Sequence, residues 1–299
     1  MIDVEKIYSR LKDERVRRAI GVQSAVRYEM KKFLEGQGFI EIPPVIISPL
    51  TDPLRHNTYS AFIDYYGAKY SLTKSMIFHK QLALIPFEKI FSFSPNIRLE
   101  FEDKRKSGRH LAEFTQLDLE IRDASREDVM DLVENMLIHI IKEVKEKFSL
   151  DTEIPEKPFS QITFKEAYKK YGENFEIELS RRMQNPFWIV DMPLERREFY
   201  DREYKKGILR DMDLIYPHGF GEAASGGERE YKYERIVDRI KRGGYRPEDF
   251  TLYLEFAKRG LPRSAGIGIG IERLTRYLCR LDSVEYAALF PKVIGEHGI

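Results

Sequence analysis

The sequence has little cysteine, almost no net charge and no long apolar run. Its 299 residues include one cysteine, Cys279, which excludes a disulfide framework within the chain. The formal net charge of +1 gives no bulk electrostatic reason to expect a nucleic-acid or membrane surface. No apolar stretch approaches the ~20 residues that span a bilayer, and the charged N-terminus is no secretory signal. We therefore expect a cytoplasmic protein that does not contact membranes.

The chain does contain a glycine-alternating stretch, GIGIGIERL, at residues 266–274. It is neither a P-loop nor a dinucleotide fingerprint, because the glycines have the wrong spacing for both. In a strand, the glycines leave one face bare and the isoleucines pack behind it. A bare face admits a planar ring or a phosphate, and a helix that starts beside Arg273 suits an anion. The alternative is that the glycines only let two backbones pack closely.

A second polar pattern lies on two predicted strands, 88–101 and 111–122, which flank a charged loop. The period-2 alternation of strands puts side chains two residues apart on one face. A hairpin therefore gathers Arg98, Glu100, Phe114, Gln116, Asp118 and Glu120, with Arg109 and His110 at its rim. An aromatic ring, arginines and a carboxylate suit the base, phosphates and amine of a nucleotide site. The alternative is a solvated sheet face.

The remaining periodicity predicts an α+β fold, a mainly antiparallel sheet flanked by helices, in a single domain over residues 1–299. Residues 49–68 are expected to form a loop. We predict helices at 14–36, 75–85, 125–148, 228–242 and 247–259, further strands at 39–48, 185–193 and 209–216, and a strand followed by a helix over 265–281.

In this order along the chain, these segments resemble the class II aminoacyl-tRNA synthetases. The helix that ends in GFIEIPPVI resembles their motif 1, and Arg98-x-Glu100 with Arg109-His110 and EFTQLD (113–118) resembles motif 2. GIGIGIERL resembles motif 3, and DLIYPHGFGEAASGGERE (213–230) resembles a segment of the aspartyl/asparaginyl subgroup. The resemblance covers nearly the whole chain and implies a class II synthetase-like catalytic core.

The resemblance implies ATP and Mg²⁺ as cofactors and assigns residues to them. Arg98 would bridge the α-phosphate and the attacked carboxylate, Phe114 would stack under the adenine, and Arg273 would lie near the γ-phosphate. Glu222 and Ser225 would bind Mg²⁺. The full set implied for the nucleotide is Arg98, Glu100, Arg109, His110, Phe114, Glu222, Gly270 and Arg273, of which Arg98, Glu222 and Arg273 are the expected catalytic residues.

The resemblance also implies an amino-acid pocket. Asp118 would hold the substrate ammonium, and Arg229 would hold a carboxylate with a bidentate fork. Aspartyl enzymes carry a run like S-P-Q-L-Y-K ahead of motif 2, and here the Gln and Lys positions are taken to be Met76 and His79. Met76 donates no strong hydrogen bond, so either the pocket differs or Met76 is a core residue. The expected substrate set is Asp52, Met76, His79, Gln116, Asp118 and Arg229.

No N-terminal anticodon-binding OB domain is expected, because motif 1 lies within the first ~40 residues. A core of this kind with an altered pocket resembles the archaeal asparagine synthetases related to aspartyl- and asparaginyl-tRNA synthetases. The resemblance implies that L-aspartate, ammonia and ATP give asparagine through a β-aspartyl-adenylate, in a homodimer, with tRNA not expected as a partner. Asp52 and Asp118 are both considered for deprotonating ammonium. The alternatives are aminoacyl transfer to tRNA or protein, and a non-catalytic regulatory role.

Overall fold

A computed structural model describes residues 3–298, which are built around an eight-stranded sheet. The helices, numbered in chain order, are α1 Val4–Leu11, α2 Glu14–Gly36, α3 Ile77–Ala83, α4 Arg126–Phe148, α5 Phe164–Tyr171, α6 Phe175–Arg182, α7 Tyr233–Arg242, α8 Thr251–Arg259 and α9 Ile271–Leu278. The strands are β1 Ile40–Glu41, β2 Ile47–Ser48, β3 Phe62–Tyr65, β4 Ala68–Leu72, β5 Lys89–Ile97, β6 Glu113–Arg122, β7 Ser160–Thr163, β8 Phe187–Val190, β9 Glu203–Lys205, β10 Ile208–Leu209, β11 Asp211–Tyr216, β12 Gly221–Glu228 and β13 Ser264–Gly270.

The large sheet has the order β1-β5-β6-β13-β12-β11-β8-β7. Its central strands are antiparallel, and only the terminal pairs, β1 with β5 and β7 with β8, are parallel. Two small sheets, β2-β4-β3 and β9-β10, lie outside it. The predicted α+β class with a mainly antiparallel sheet is therefore confirmed.

The two faces of the central strands have opposite chemistry. Leu117 and Leu119 of β6 and Ile267 and Ile269 of β13 pack with α2, α4 and α9 in the main apolar core. The alternating residues, including Asp118, point to the other face, because side chains alternate along a strand. The helices therefore cover one face, and the polar residues of the sheet line a cavity on the other.

Several predicted elements have the expected bounds and others do not. Helix α2 matches the predicted 14–36, and α4 begins with a complete capping box, in which Ser125 and Asp128 bond to each other's backbone N–H groups. The stretch 39–48 forms only the short strands β1 and β2, and the expected loop 49–68 contains β3. Strand β12 extends to Glu228, so the predicted helix at 228–242 begins at Tyr233 instead.

No helix between residues 3 and 298 is both long and apolar enough to cross a membrane. Three expectations stay predictions: the single-domain organisation, the absence of an OB domain and the homodimer.

Candidate active site

The polar face of β6, β12 and β13 lines a cavity with two adjoining chambers. The first, about 250 Å³, is called the Phe114 chamber, and its walls include Phe114, Arg109, His110 and Arg273. The second, about 280 Å³, is called the Asp118 chamber, and its walls include Asp118, Lys80, Arg229, Asp201 and Glu198. Both are lined by His56, Arg98, Gln116, Glu222 and Gly268, which therefore mark the passage between them.

Arg98 lies at this passage with most of its donors free. Its guanidinium is 5.2 Å from the centroid of the Phe114 ring, and its Nε donates to the carbonyl of Lys74 at 3.0 Å. Neither Nη1 nor Nη2 has a hydrogen-bond partner among residues 3–298. An arginine fork with four free N–H groups suits a phosphate or a carboxylate that reaches the passage from either chamber.

One end of the Phe114 chamber is a ring of charged groups. Arg109 forms an ion pair with Glu176 of α6, while Arg273 donates from Nε to the Arg109 carbonyl at 3.3 Å. Arg273 Nη1 also lies 3.4 Å from Glu222 Oε2. Burial alone would raise the pKa of Glu222, but Arg273 and Arg109 outweigh burial and lower it. Glu222 is therefore ionised at neutral pH.

His110 lines the same end but does not add a positive charge. Burial, Arg273 and Arg109 lower the pKa of His110 to about 3, so its imidazole is neutral at pH 7. Its Nδ1 is 2.6 Å from the hydroxyl of Ser107. Because Ser107 occupies Nδ1, His110 has only Nε2 for the expected contact with outer phosphates, which is a single hydrogen bond.

Two acidic residues of the Phe114 chamber have partners that sequence reasoning did not place. Glu100 Oε1 lies 2.9 Å from His56 Nε2, and its Oε2 has no partner among the residues described. Glu272, which was not predicted, accepts the Thr115 N–H with both oxygens, at 3.0 and 3.1 Å, and so fixes the backbone next to Phe114. Gly270 lines the chamber as expected.

Oxygen ligands suitable for Mg²⁺ lie on β12 and its neighbour. Glu222 and Ser225 both line the Asp118 chamber, and Asp213 of β11 is paired directly with Ser225 in the sheet. Asp213, missed in the sequence, lies 2.5 Å from Arg197. No group of three His, Cys, Asp or Glu side chains within residues 3–298 could hold a metal ion alone. Mg²⁺ often takes one or two carboxylates together with phosphates and waters, so Glu222 still fits it.

In the Asp118 chamber, Asp118 pairs with a lysine that sequence reasoning overlooked. Lys80 Nζ lies 2.8 Å from Asp118 Oδ1 and 3.8 Å from Glu120 Oε2, and its side chain is 3% exposed. Asp118 Oδ2 has no hydrogen-bond partner among the residues described. A buried carboxylate oxygen without a partner is costly, so Asp118 is suited to a ligand that carries an N–H donor, such as an ammonium.

The expected bidentate fork of Arg229 is not available to a substrate. Its Nε and Nη2 donate to the two oxygens of Glu120 at 3.0 and 3.3 Å, and Nη1 donates to Asp201 at 2.9 Å. Nη2 also donates to the carbonyl of Gly266 at 2.9 Å. The five N–H groups of an arginine leave one free after these four bonds. The prediction that Arg229 grips a substrate carboxylate with two bonds is therefore wrong.

Met76 and His79 do not line either chamber, which corrects their predicted role. Met76 is fully buried in the protein core, and His79 Nε2 lies 3.1 Å from the hydroxyl of Ser48. Ile77 and Lys80, one position further along α3, line the Asp118 chamber instead. Positions 77 and 80 are three residues apart, as 76 and 79 are, and residues three apart share a helix face. The predicted Gln and Lys positions were therefore displaced by one residue.

The glycines of β13 make room for side chains as well as for a ligand. A Cβ at Gly266 would lie 2.0 Å from Glu120 Oε2 and 2.3 Å from the Leu119 carbonyl. A Cβ at Gly268 would lie 3.2 Å from both Asp118 Oδ1 and Gln116 Nε2. Gly266 is therefore required by the packing of two backbones, while Gly268 and Gly270 lie open to the cavity. Close packing therefore explains Gly266, while ligand binding on the bare face stays a prediction for Gly268 and Gly270.

Gln116 and Asp52 complete the expected set. Gln116 lies at the passage, and its Oε1 accepts from Asn96 Nδ2 at 2.8 Å. Asp52 lines the Asp118 chamber and accepts from the Tyr200 hydroxyl at 2.9 Å. The structure therefore brings together all the predicted residues except Met76 and His79.

The helix-backed antiparallel sheet with this cavity on its polar face defines a class II synthetase-like core. The family model described as tRNA synthetases class II (D, K and N) matches residues 1–294. The chain belongs to this family.

The relatives are tRNA ligases. The chain is 32% identical to an aspartate–tRNA(Asp/Asn) ligase of Methanopyrus kandleri over 91% of this chain and 66% of the relative. It is 27% identical to an asparagine–tRNA ligase of Thermococcus kodakarensis over 98% of this chain and 72% of the relative. The chain thus spans about two thirds of the length of these relatives.

A solved structure has the same fold. The crystal structure of asparaginyl-tRNA synthetase from Pyrococcus horikoshii complexed with asparaginyl-adenylate superimposes with a TM-score of 0.87 and 24% identity, over 96% of this chain and 71% of that chain. At this identity the likeness concerns the fold alone.

These relatives correct one expectation. The prediction that tRNA is not a partner is wrong, because the proteins similar to this chain are aspartate– and asparagine–tRNA ligases. The family supports a ligase of the aminoacyl-tRNA synthetase type and gives no support to free asparagine synthesis in particular.

Proposed function

We propose that the chain activates the carboxylate of an amino acid of the aspartate or asparagine type with ATP, and transfers the aminoacyl group to tRNA. The observation that carries the proposal is the position of Arg98 at the passage between the two chambers, with its Nη groups free. ATP is assigned to the Phe114 chamber and the amino acid to the Asp118 chamber. The two substrates would then meet at Arg98.

In the proposed first step the amino-acid carboxylate attacks the α-phosphorus of ATP, and pyrophosphate leaves. The carboxylate oxygen forms the new bond to phosphorus as the bond to the bridging oxygen of pyrophosphate breaks. Little acid–base chemistry is needed, so the protein's task is to position the reactants and stabilise negative charge. Arg98 serves the α-phosphate and carboxylate, while Arg109 and Arg273 serve the leaving phosphates.

The remaining roles follow from the chambers. Phe114 stacks on the adenine, and the free Oε2 of Glu100 accepts an N–H from the adenine edge. Asp118 holds the ammonium of the amino acid through its free Oδ2. Glu222, with Ser225, would hold Mg²⁺, which neutralises charge on the phosphates when bound. In the second step the acceptor attacks the acyl carbon and AMP leaves.

A second acceptor is ammonia, which would give free asparagine from aspartate. The observation that favours it is the number of carboxyl groups in the Asp118 chamber, since five of its wall residues are Asp or Glu. A carboxylate there could take a proton from ammonium and release the neutral nucleophile.

ATP–pyrophosphate exchange with purified protein, Mg²⁺ and single amino acids tests the proposal. We expect exchange with aspartate or asparagine and none with lysine. Labelled amino acid is then offered tRNA or ammonium as the acceptor. Acid-stable label on tRNA supports the first proposal, and labelled asparagine that depends on ammonium supports the second. Absence of exchange with any amino acid contradicts both.

A further inference from the structure

The wall of the Asp118 chamber includes carboxyl groups that have no role in the proposed activation and transfer to tRNA. Asp52 comes from the loop after β2, and Glu198 and Asp201 come from the segment before β9. All three are at most 5% exposed. They line the same chamber as Arg98, so a substrate whose carboxylate reaches Arg98 shares its space with them.

Apart from Arg98, the cations of this chamber lie close to protein acceptors. Arg229 bonds to Glu120, Asp201 and a backbone carbonyl, as described above. Arg197 lies 2.8 Å from Asp211 and 2.5 Å from Asp213. Arg55 donates to the carbonyls of Glu195 and Gly243. Arg197 Nη2 makes no hydrogen bond among residues 3–298, so a second substrate carboxylate would meet mostly paired cations beside the three carboxyl groups.

Glu198 is the member of this set with an unused acceptor. Its Oε1 accepts from the Tyr245 hydroxyl at 3.1 Å, but its Oε2 is buried and has no partner among residues 3–298. The residue is 4% exposed. Leaving a buried acceptor without a donor is unfavourable, so a donor from a ligand would offset that cost.

We propose that Glu198, with Asp52 and Asp201, forms a subsite for a nitrogen group that donates N–H bonds, either an ammonium or a carboxamide. The proposal rests on the proposed binding of an amino acid in the Asp118 chamber. Three sources share this chemistry: the carboxamide of asparagine, the α-ammonium of an aspartate bound with its β-carboxylate at Arg98, and a free ammonium ion.

The test compares the wild type with Glu198→Gln and Glu198→Ala. Glu195→Gln is the matched control, because Glu195 is an exposed carboxylate three residues away. Calorimetry measures the Kd for aspartate, asparagine and ammonium chloride, and pyrophosphate exchange measures KM. A lost charge-assisted hydrogen bond predicts a rise of roughly 10- to 100-fold in Kd for the nitrogen-bearing ligand. KM for ATP should match that of the control, and at pH 7 or above the thermal midpoint of Glu198→Gln should match it as well.

The ligands distinguish the three sources. Weaker binding of asparagine alone assigns the carboxamide, and weaker binding of ammonium chloride alone assigns the free ion. Weaker binding of aspartate assigns the α-ammonium, on condition that the wild type forms aspartyl β-hydroxamate when hydroxylamine is added. Each result supports the subsite.

Unchanged binding of every ligand in both Glu198 variants would overturn the subsite, even where the wild type exchanges pyrophosphate normally. If the wild type binds the amino acid more tightly than Glu198→Gln does but shows no pyrophosphate exchange, the subsite is supported and the proposed activation is rejected. A wild type that binds none of the ligands overturns both.

Discussion

The Phe114 and Asp118 chambers lie side by side but are built differently. At the Phe114 chamber, Arg98 has free N–H groups, and the ion pairs of Arg109 with Glu176 and of Arg273 with Glu222 are only partly buried. In the Asp118 chamber, Lys80 and Arg229 are buried in ion pairs with carboxylates of the protein. The first chamber can therefore bind phosphates directly, whereas the second recognises a ligand through a network that is also part of the folded core.

The largest expected effect is on Arg98. Replacing Arg98 with Ala removes the charge that both substrates share, so we expect pyrophosphate exchange to fall by roughly 10³-fold or more, since a single preorganised donor can contribute about 10²–10³. Melting temperature serves as the fold control. Activity within a factor of three of the wild type would contradict the assignment of the passage.

A stability comparison tests whether the two chambers differ as described. In Lys80→Met the Asp118 carboxylate stays buried without its cation, so the free energy of unfolding should fall by about 3 kcal/mol. Arg98→Met removes no ion pair and should change it by less than about 1 kcal/mol. Urea unfolding measures both values. Equal losses would mean that the two chambers do not differ in this way.

Phe114→Ala should have a smaller effect that is confined to one substrate. Loss of stacking on a base is worth roughly 1–3 kcal/mol, which predicts a rise of about 10- to 100-fold in KM for ATP. KM for the amino acid should stay unchanged, because Phe114 lines only the first chamber. Equal increases in both KM values would argue against separate chambers.

The smallest expected effect is a pH dependence from Glu198. Burial and the nearby Asp52 raise the pKa of Glu198 to about 7, above its ordinary 4.5. Between these two values the folded state holds more protons, so this residue's contribution to the free energy of unfolding declines as pH rises from about 4.5 to 7. The rise in pKa corresponds to at most about 3 kcal/mol, and screening by water in the chamber reduces it, so the advantage of the wild type over Glu198→Gln should fall by about 1–2 kcal/mol across that window. The titratable and charged groups near the Glu198 carboxyl group are Asp52, Arg55, Tyr200, Asp201 and Tyr245.

Denaturant unfolding of both proteins at several pH values measures this contribution, with Glu195→Gln as the control. A constant difference from pH 4.5 to 7 would show that Glu198 is ionised in the folded state as readily as in the unfolded chain.

The sequence predicted the Phe114 chamber better than the Asp118 chamber for a physical reason. Phe114 and Asp118 lie on β6, and Arg98 directly follows β5, which is paired with β6, so period-2 alternation indicates which of these side chains share a face. Lys80 lies on a helix of seven residues, for which one position of error changes the face that meets the cavity. Glu198 and Asp201 come from an irregular segment whose position depends on tertiary contacts. The long helices were predicted well because α2 and α4 have sustained apolar periodicity and caps.

Because Gly266 is a glycine in a crowded position, it limits which substitutions this protein can accept. Glu120 and the carbonyl of Leu119 occupy the space where a Cβ would stand, and Arg229 bonds to both Glu120 and the Gly266 carbonyl. Positions 120, 229 and 266 therefore form one mutational unit. In a library that varies one position at a time, each should tolerate almost no replacement, and a new amino-acid preference would require changes that leave this unit intact or replace all three residues together.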